Sequence, residues 1–167
     1  MSIVDETRGH GVRVLFVCTG NIVRSAMAKG ILETRLPSHL KRFTTVDSAG
    51  VAAIDGNQAT DETIIVMAEQ GIDSTRHRAK FLSHDHVKNS DIIFVMEKNH
   101  LRHMELFYRF PRKEIHLLRE FGIEKRFRDV PDPYGKSIEH YRNCRDLIDS
   151  CMEGIISWIE DKKEQKN

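Results

Sequence analysis

The sequence predicts an α/β protein of three layers, with helices on both faces of a small parallel sheet of about four strands. Three observations carry this. Short β-branched runs alternate with segments whose apolar residues recur every three or four positions, the order of parallel strands joined by crossover helices. The length of 167 residues suits one domain, read as 1–167 with tails at 1–11 and 160–167. A chain that is 40% hydrophobic and 31% charged has the mix of a globular protein with one core of ordinary size.

The elements follow in order. Val12 to Val17 is compact and β-branched between Gly11 and Gly20, and reads as a fully buried strand. From Ser25 to about Leu36, Met27, Ile31, Leu32 and Arg35 fall at helical spacing, and Pro37 ends the helix. Thr44 to Ala49 is a second strand. Asp61 to Glu69 is a helix with Ile64, Ile65 and Ala68 turned inward, closed by Gly71. Asp91 to Met96 is a strand, Asn99 to Phe107 a helix, and Ile115 to Leu118 a fourth, short strand. The stripe Tyr141, Cys144, Ile148, Cys151, Ile155 and Trp158 predicts one long amphipathic helix from Ile138 to about Ile159.

Charge and composition exclude several classes. Twenty-six Lys and Arg against 25 Asp and Glu leave no field that draws the chain to nucleic acid or a membrane. The basic stretch Lys98 to Arg128 is interleaved with Glu and reads as solvated surface. Val14 to Cys18 and Ile92 to Met96, the longest apolar runs, are too short to cross a bilayer. Early acids and no apolar leader make a cytoplasmic location the expectation. Three cysteines, an odd number, do not make a disulfide framework. His84-Asp85-His86 and His100-x-x-His103 lack the partners that would complete a metal site, so neither metal nor cofactor is expected.

In open parallel sheets ligands bind beyond the carboxyl ends of the strands. The loop there reads Cys18-Thr19-Gly20-Asn21-Ile22-Val23-Arg24-Ser25, a C-x5-R segment between a buried strand and a helix start. Such a loop can curl until successive N–H groups converge on one anion, and the helix start adds more donors and positive potential. Gly20 and Asn21 suit the left-handed turns of the curl. Arg24 brings a planar fork matched to two phosphate oxygens. A sulfur in that field is expected as the anion. Walker A is excluded because Arg24-Ser25 stands where Gly-Lys-Ser/Thr would be required, and no G-x-G-x-x-G follows the strand. The pattern points to phosphoryl transfer with Cys18 as nucleophile, completed by an acid for the leaving group. A buried strand-end cysteine beside a structural arginine is the alternative.

At these residues the sequence resembles the low-molecular-weight protein tyrosine phosphatase family. The likeness rests on Val14 to Val17, on Cys18 to Ser25, and on Asp47-Ser48-Ala49-Gly50 after the second strand. It extends to His77 before Ala79-Lys80, to the late Asp132-Pro133-Tyr134-Gly135, and to the element order from about Val12 to Trp158. The resemblance implies that Cys18 forms a phosphocysteine and that Arg24 binds the phosphoryl group. Asp132 would protonate the leaving group and then activate water. It further implies that Ser25 bonds the sulfur, and that Asn21, with Ser48 and His77 behind it, holds the loop formed with Thr19, Gly20, Ile22 and Val23. Pro131 and Pro133 stiffen the backbone around Asp132.

Ile22 offers an apolar wall and Tyr134 a ring to stack on, so a phosphotyrosyl protein or peptide is the expected substrate. A similar branch that acts on phosphoarginine carries threonine at the Ile22 position, which makes a protein arginine phosphatase the alternative. An arsenate reductase and a non-catalytic phosphate-binding module stand further off. The former uses cysteines seven apart. Here Cys144 and Cys151 share a predicted helix, where that step is roughly 10 Å, too far for a disulfide. Val23 stands where many relatives have a second loop cysteine, so oxidised Cys18 is expected to lack that rescue.

Overall fold

The computed structural model describes residues 11–108, 114–124 and 129–166. Its four strands, β1 (Val12–Cys18), β2 (Thr44–Gly50), β3 (Ile92–Val95) and β4 (Ile115–Leu117), form one sheet in the order β2-β1-β3-β4. All pairings are parallel. Val17 lies opposite both Ala49 and Val95, so Cys18, Gly50 and Met96 come out on the same edge. That edge is where the site is built.

Among the described residues seven α-helices cover the sheet: α1 (Arg24–Arg35), α2 (Ser38–Lys41), α3 (Asp61–Ala68), α4 (His84–Lys88), α5 (Lys98–Phe107), α6 (Ile138–Asp149) and α7 (Met152–Gln165). Alternate residues of β1 face opposite layers, as the strand's twofold period demands. Val14 and Phe16 pack with Met27, Ile31 and Leu32 of α1 and with Ile148 and Ile155. Leu15 and Val17 pack on the other side with Val87 and Met104. Each such side chain contributes about 1.5–3 kcal/mol by leaving water. The predicted three-layer architecture is the one observed.

Three expectations are corrected, and two short helices are added. The inward face of α3 is Thr63, Val66 and Met67, whereas Ile65 and Ala68 are exposed and Ile64 only half-buried. A polar contact sets this rotation: the Thr63 hydroxyl donates to the Ile22 carbonyl at 3.2 Å. The long C-terminal helix is two, broken between α6 and α7. At the break the Ser150 hydroxyl bonds back to Leu147 O (2.6 Å) and the Cys151 amide turns to Ile148 O (3.0 Å). The apolar stripe runs on through the break, with Cys144, Ile148, Cys151 and Ile155 all buried, so periodicity alone does not reveal it. Helix α7 also extends to Gln165, into the stretch read as a tail, while residues 1–10 of the other tail lie outside the described residues. Finally, α2 and α4, of four and five residues, are too short to register as a periodic pattern. Among the described residues, no helix is long and apolar enough to cross a membrane.

Candidate active site

The loop after β1 is shaped by what binds its carbonyls from outside. Cys18 O accepts from Val51 N (2.9 Å), Thr19 O from Ala52 N (2.9 Å), Asn21 O from His77 Nε2 (2.6 Å), and Ile22 O from Thr60 N (3.1 Å). In a planar trans peptide the following N–H points the opposite way, and the described chain has no cis bonds. The amides of Thr19, Gly20, Ile22 and Val23 are therefore turned to the concave side, where the first N–H groups of α1 join them. An anion cradle follows.

Asn21 is the keystone of the curl. It is fully buried with φ +55°, its amide donates to Cys18 Sγ at 3.3 Å, and its Nδ2 donates to Ser25 Oγ at 2.7 Å. Its Oδ1 accepts from the Lys80 amide at 2.9 Å. Ser25 Oγ, which accepts from Asn21, lies 2.9 Å from Cys18 Sγ and 3.5 Å from Ala49 O, so its one proton can serve either the sulfur or that carbonyl. Gly20, expected to be left-handed, is not; a Cβ there would meet only Ile22, at an ordinary 3.5 Å. The glycine that close approach demands is Gly50, where a Cβ would lie 2.5 Å from Thr19 O and 2.9 Å from Asn21 N. The neighbouring Ser48 is buried in β2 but, among the described residues, no hydrogen bond joins its side chain to Asn21. The Lys80 amide occupies that role. Burial holds the His77 pKa below the ordinary imidazole value, and the Asn21 carbonyl, which can only accept, puts the ring proton on Nε2.

Arg24, at the first position of α1, is only 2% exposed. Both protons of one terminal nitrogen are engaged, by the Glu97 carboxylate and by Val130 O at 2.9 Å. The second terminal nitrogen pairs with Asp132 Oδ2 at 3.3 Å. The segment carrying Asp132 is docked by the Val130 main chain and the Asp129 carboxylate: Val130 N donates to Met96 O (2.7 Å) and Lys98 N to Asp129 Oδ1 (3.0 Å). Asp132 itself is exposed, its Oδ1 accepting from Tyr134 N at 3.1 Å.

These residues enclose a cavity of about 190 Å³ lined by Cys18, Thr19, Gly20, Ile22, Val23, Arg24, Asp132 and Tyr134. Drug-sized pockets run ~300–1,000 Å³, so this one suits a phosphoryl group with a small substituent. A sulfur at the floor, a buried guanidinium at the side and a carboxylate at the rim are the parts a displacement at phosphorus needs.

Two participants were not foreseen. Glu97 and His100 enter at the start of α5, and His100 Nε2 lies 2.8 Å from Thr19 Oγ1 while its Nδ1 accepts from Glu97 N (3.1 Å). Burial and then the Arg24 charge push the His100 pKa down to about 4. The available signal was position, since Glu97 follows β3 on the same carboxyl edge as Cys18. Among the described residues, no group of three or more metal-ligating side chains is assembled.

Known proteins share this arrangement of chain. The chain is 34% identical over 146 residues to the probable low molecular weight protein-tyrosine-phosphatase EpsP of Ralstonia nicotianae, covering 87% of this chain and 92% of that protein. It is 33% identical over 151 residues to the protein-arginine-phosphatase of Geobacillus stearothermophilus, covering 89% and 96%. The crystal structure of the low molecular weight protein tyrosine phosphatase from T. tengcongensis superposes with a TM-score of 0.80 at 34% identity, over 88% of this chain and 99% of that one. The model of the family described as low molecular weight phosphotyrosine protein phosphatase matches residues 13–166. With nearly its whole length matched, the chain belongs to that family and is a phosphatase.

Proposed function

We propose that this protein hydrolyses phosphotyrosine and related aryl phosphate monoesters through a phosphocysteine on Cys18. The observation that carries this is the sulfur's setting. Cys18 Sγ accepts from Asn21 N and lies 2.9 Å from Ser25 Oγ, at the floor of a cradle whose amides converge on it, beside Arg24. The sulfur attacks phosphorus as the bond to the leaving oxygen breaks, and Asp132 gives that oxygen its proton. The Asp132 carboxylate then takes a proton from a water that attacks the phosphocysteine. The S–P bond breaks, inorganic phosphate leaves, and the Ser25 hydroxyl stabilises the departing sulfur. Arg24 and the inward amides meet the charge that grows on the phosphoryl oxygens, so the reading requires no metal.

The substrate class follows from the walls. Ile22, half-buried, and Tyr134, exposed, flank the mouth and suit a flat phenyl ring better than a guanidinium. The second reading, a protein arginine phosphatase, is favoured by the 33%-identical Geobacillus relative of that name. Turnover of sequence-matched phosphotyrosine and phosphoarginine peptides, with chelator present, decides between them. A higher kcat/KM on phosphotyrosine supports the tyrosine reading, and a preference for phosphoarginine overturns it.

A further inference from the structure

The phosphate loop is gripped at both limbs by one element. At its far limb the Glu97 carboxylate holds Arg24, and at its near limb His100, one turn further along α5, meets Thr19. Bonding partners assign the ring's proton. Glu97 N can only donate, so His100 Nδ1 is the acceptor and Nε2–H donates to Thr19 Oγ1. Thr19 then keeps its own proton for another acceptor, and Thr19 lines the cavity above Cys18. His100 is 3% exposed, so the ring's orientation is set by packing and by these two bonds.

We propose that His100 is a positioning residue for the phosphatase reaction, aiming the Thr19 hydroxyl at the oxygens of substrate bound over Cys18. The inference rests on the phosphatase reading and adds to it a donor outside the backbone cradle. Neither the C-x5-R pattern nor the aspartate segment contains this pair. A purely structural histidine would fill the same space, but its loss would appear in stability and not in the chemical step.

The test uses His100→Asn, which keeps an acceptor for the Glu97 amide but withdraws the donor from Thr19, and His100→Gln, which returns an N–H near the Nε2 position. Thr19→Val removes the hydroxyl itself. Steady-state hydrolysis of p-nitrophenyl phosphate, orthovanadate binding and Tm are measured for each. His100→Asn and Thr19→Val are each expected to lower kcat about threefold to tenfold, the worth of one hydrogen bond, at little change in Tm. His100→Gln recovers most of the loss, and the His100→Asn/Thr19→Val double variant loses no more than either single one. A wild-type kcat in His100→Asn, additive losses in the double variant, or a deficit that tracks Tm and resists His100→Gln each overturns the inference. Wild-type protein that neither hydrolyses p-nitrophenyl phosphate nor binds orthovanadate overturns the phosphatase reading and this inference together.

Discussion

Residues 18–25 and residues 129–134 face each other across Arg24, and they are held in different ways. In the first segment the groups that shape the loop have partners before substrate arrives, and its inward amides are left for the anion. Four carbonyls are tied outward, the Asn21 side chain bonds at both ends, and Ser25 bridges Asn21 to the sulfur. In the second, the Asp129 carboxylate and the Val130 main chain do the docking, and the Asp132 carboxylate stands exposed with Arg24 and the Tyr134 amide as neighbours. The difference teaches where each part of the chemistry needs rigidity. Charge stabilisation is effective when its dipoles are already in place. A group that first gives and then takes a proton must instead exchange partners within one turnover. The first segment is therefore part of the fold, and the second is an attachment to it.

That contrast breaks or sharpens in a ranked series of measurements. Asp132→Asn is expected to lower kcat for phenyl phosphates by about 10²–10⁴-fold, the range of general acid–base catalysis, while Tm and orthovanadate affinity stay at wild-type values. A clear fall in Tm would show that the aspartate segment is also part of the fold. Asn21→Ala reverses the pattern. It strands the Lys80 amide, removes the donor to Ser25 Oγ and places alanine at φ +55°, for a loss of about 3–4 kcal/mol in chemical denaturation. A loss within experimental error would remove the loop from the stability of the fold.

Acid sensitivity is the next largest effect. The His100 pKa is near 6.5 in the unfolded chain and about 4 in the folded one, where burial and Arg24 oppose its charge and Glu97, Asp129 and Asp132 favour it. Between those values the unfolded chain binds the extra proton. Stability is then full above about pH 7 and falls as pH drops from 6.5 to 4, by about 3 kcal/mol from this group. His77, whose pKa is also lowered, acts in the same direction. Denaturant unfolding at pH 7 and pH 4 should show a smaller acid loss in His100→Gln than in wild type, and equal losses would contradict the assignment. Smallest is Ile22→Thr, which trims an apolar wall and should shift the phosphotyrosine-to-phosphoarginine ratio toward phosphoarginine by about threefold to tenfold. No shift would take Ile22 out of substrate choice.

The same contrast explains what could be read from the amino-acid order. Cys18 to Ser25 is legible because the proposed nucleophile, cradle and clamp are contiguous, and because each residue type there has a narrow range of uses between a strand and a helix. Asp132 stood out mainly through resemblance, since an aspartate between prolines is also an ordinary turn. Glu97 and His100 were hidden because they reach the loop only after β3 and α5 pack beside β1. Of Gly20 and Asn21 only Asn21 is left-handed, and the glycine pressed against the loop is Gly50, which reaches it from another strand. Helix α3 was phased wrongly because the hydroxyl bond from Thr63 to Ile22 outweighs the burial of Ile65.

The most direct test is chemical capture of the intermediate. Wild-type protein mixed with p-nitrophenyl phosphate and quenched in milliseconds should release one equivalent of nitrophenol in a burst and yield a Cys18 peptide that carries phosphate. Linear release from the first turnover, with the Cys18 peptide unmodified, would contradict the role given to that sulfur.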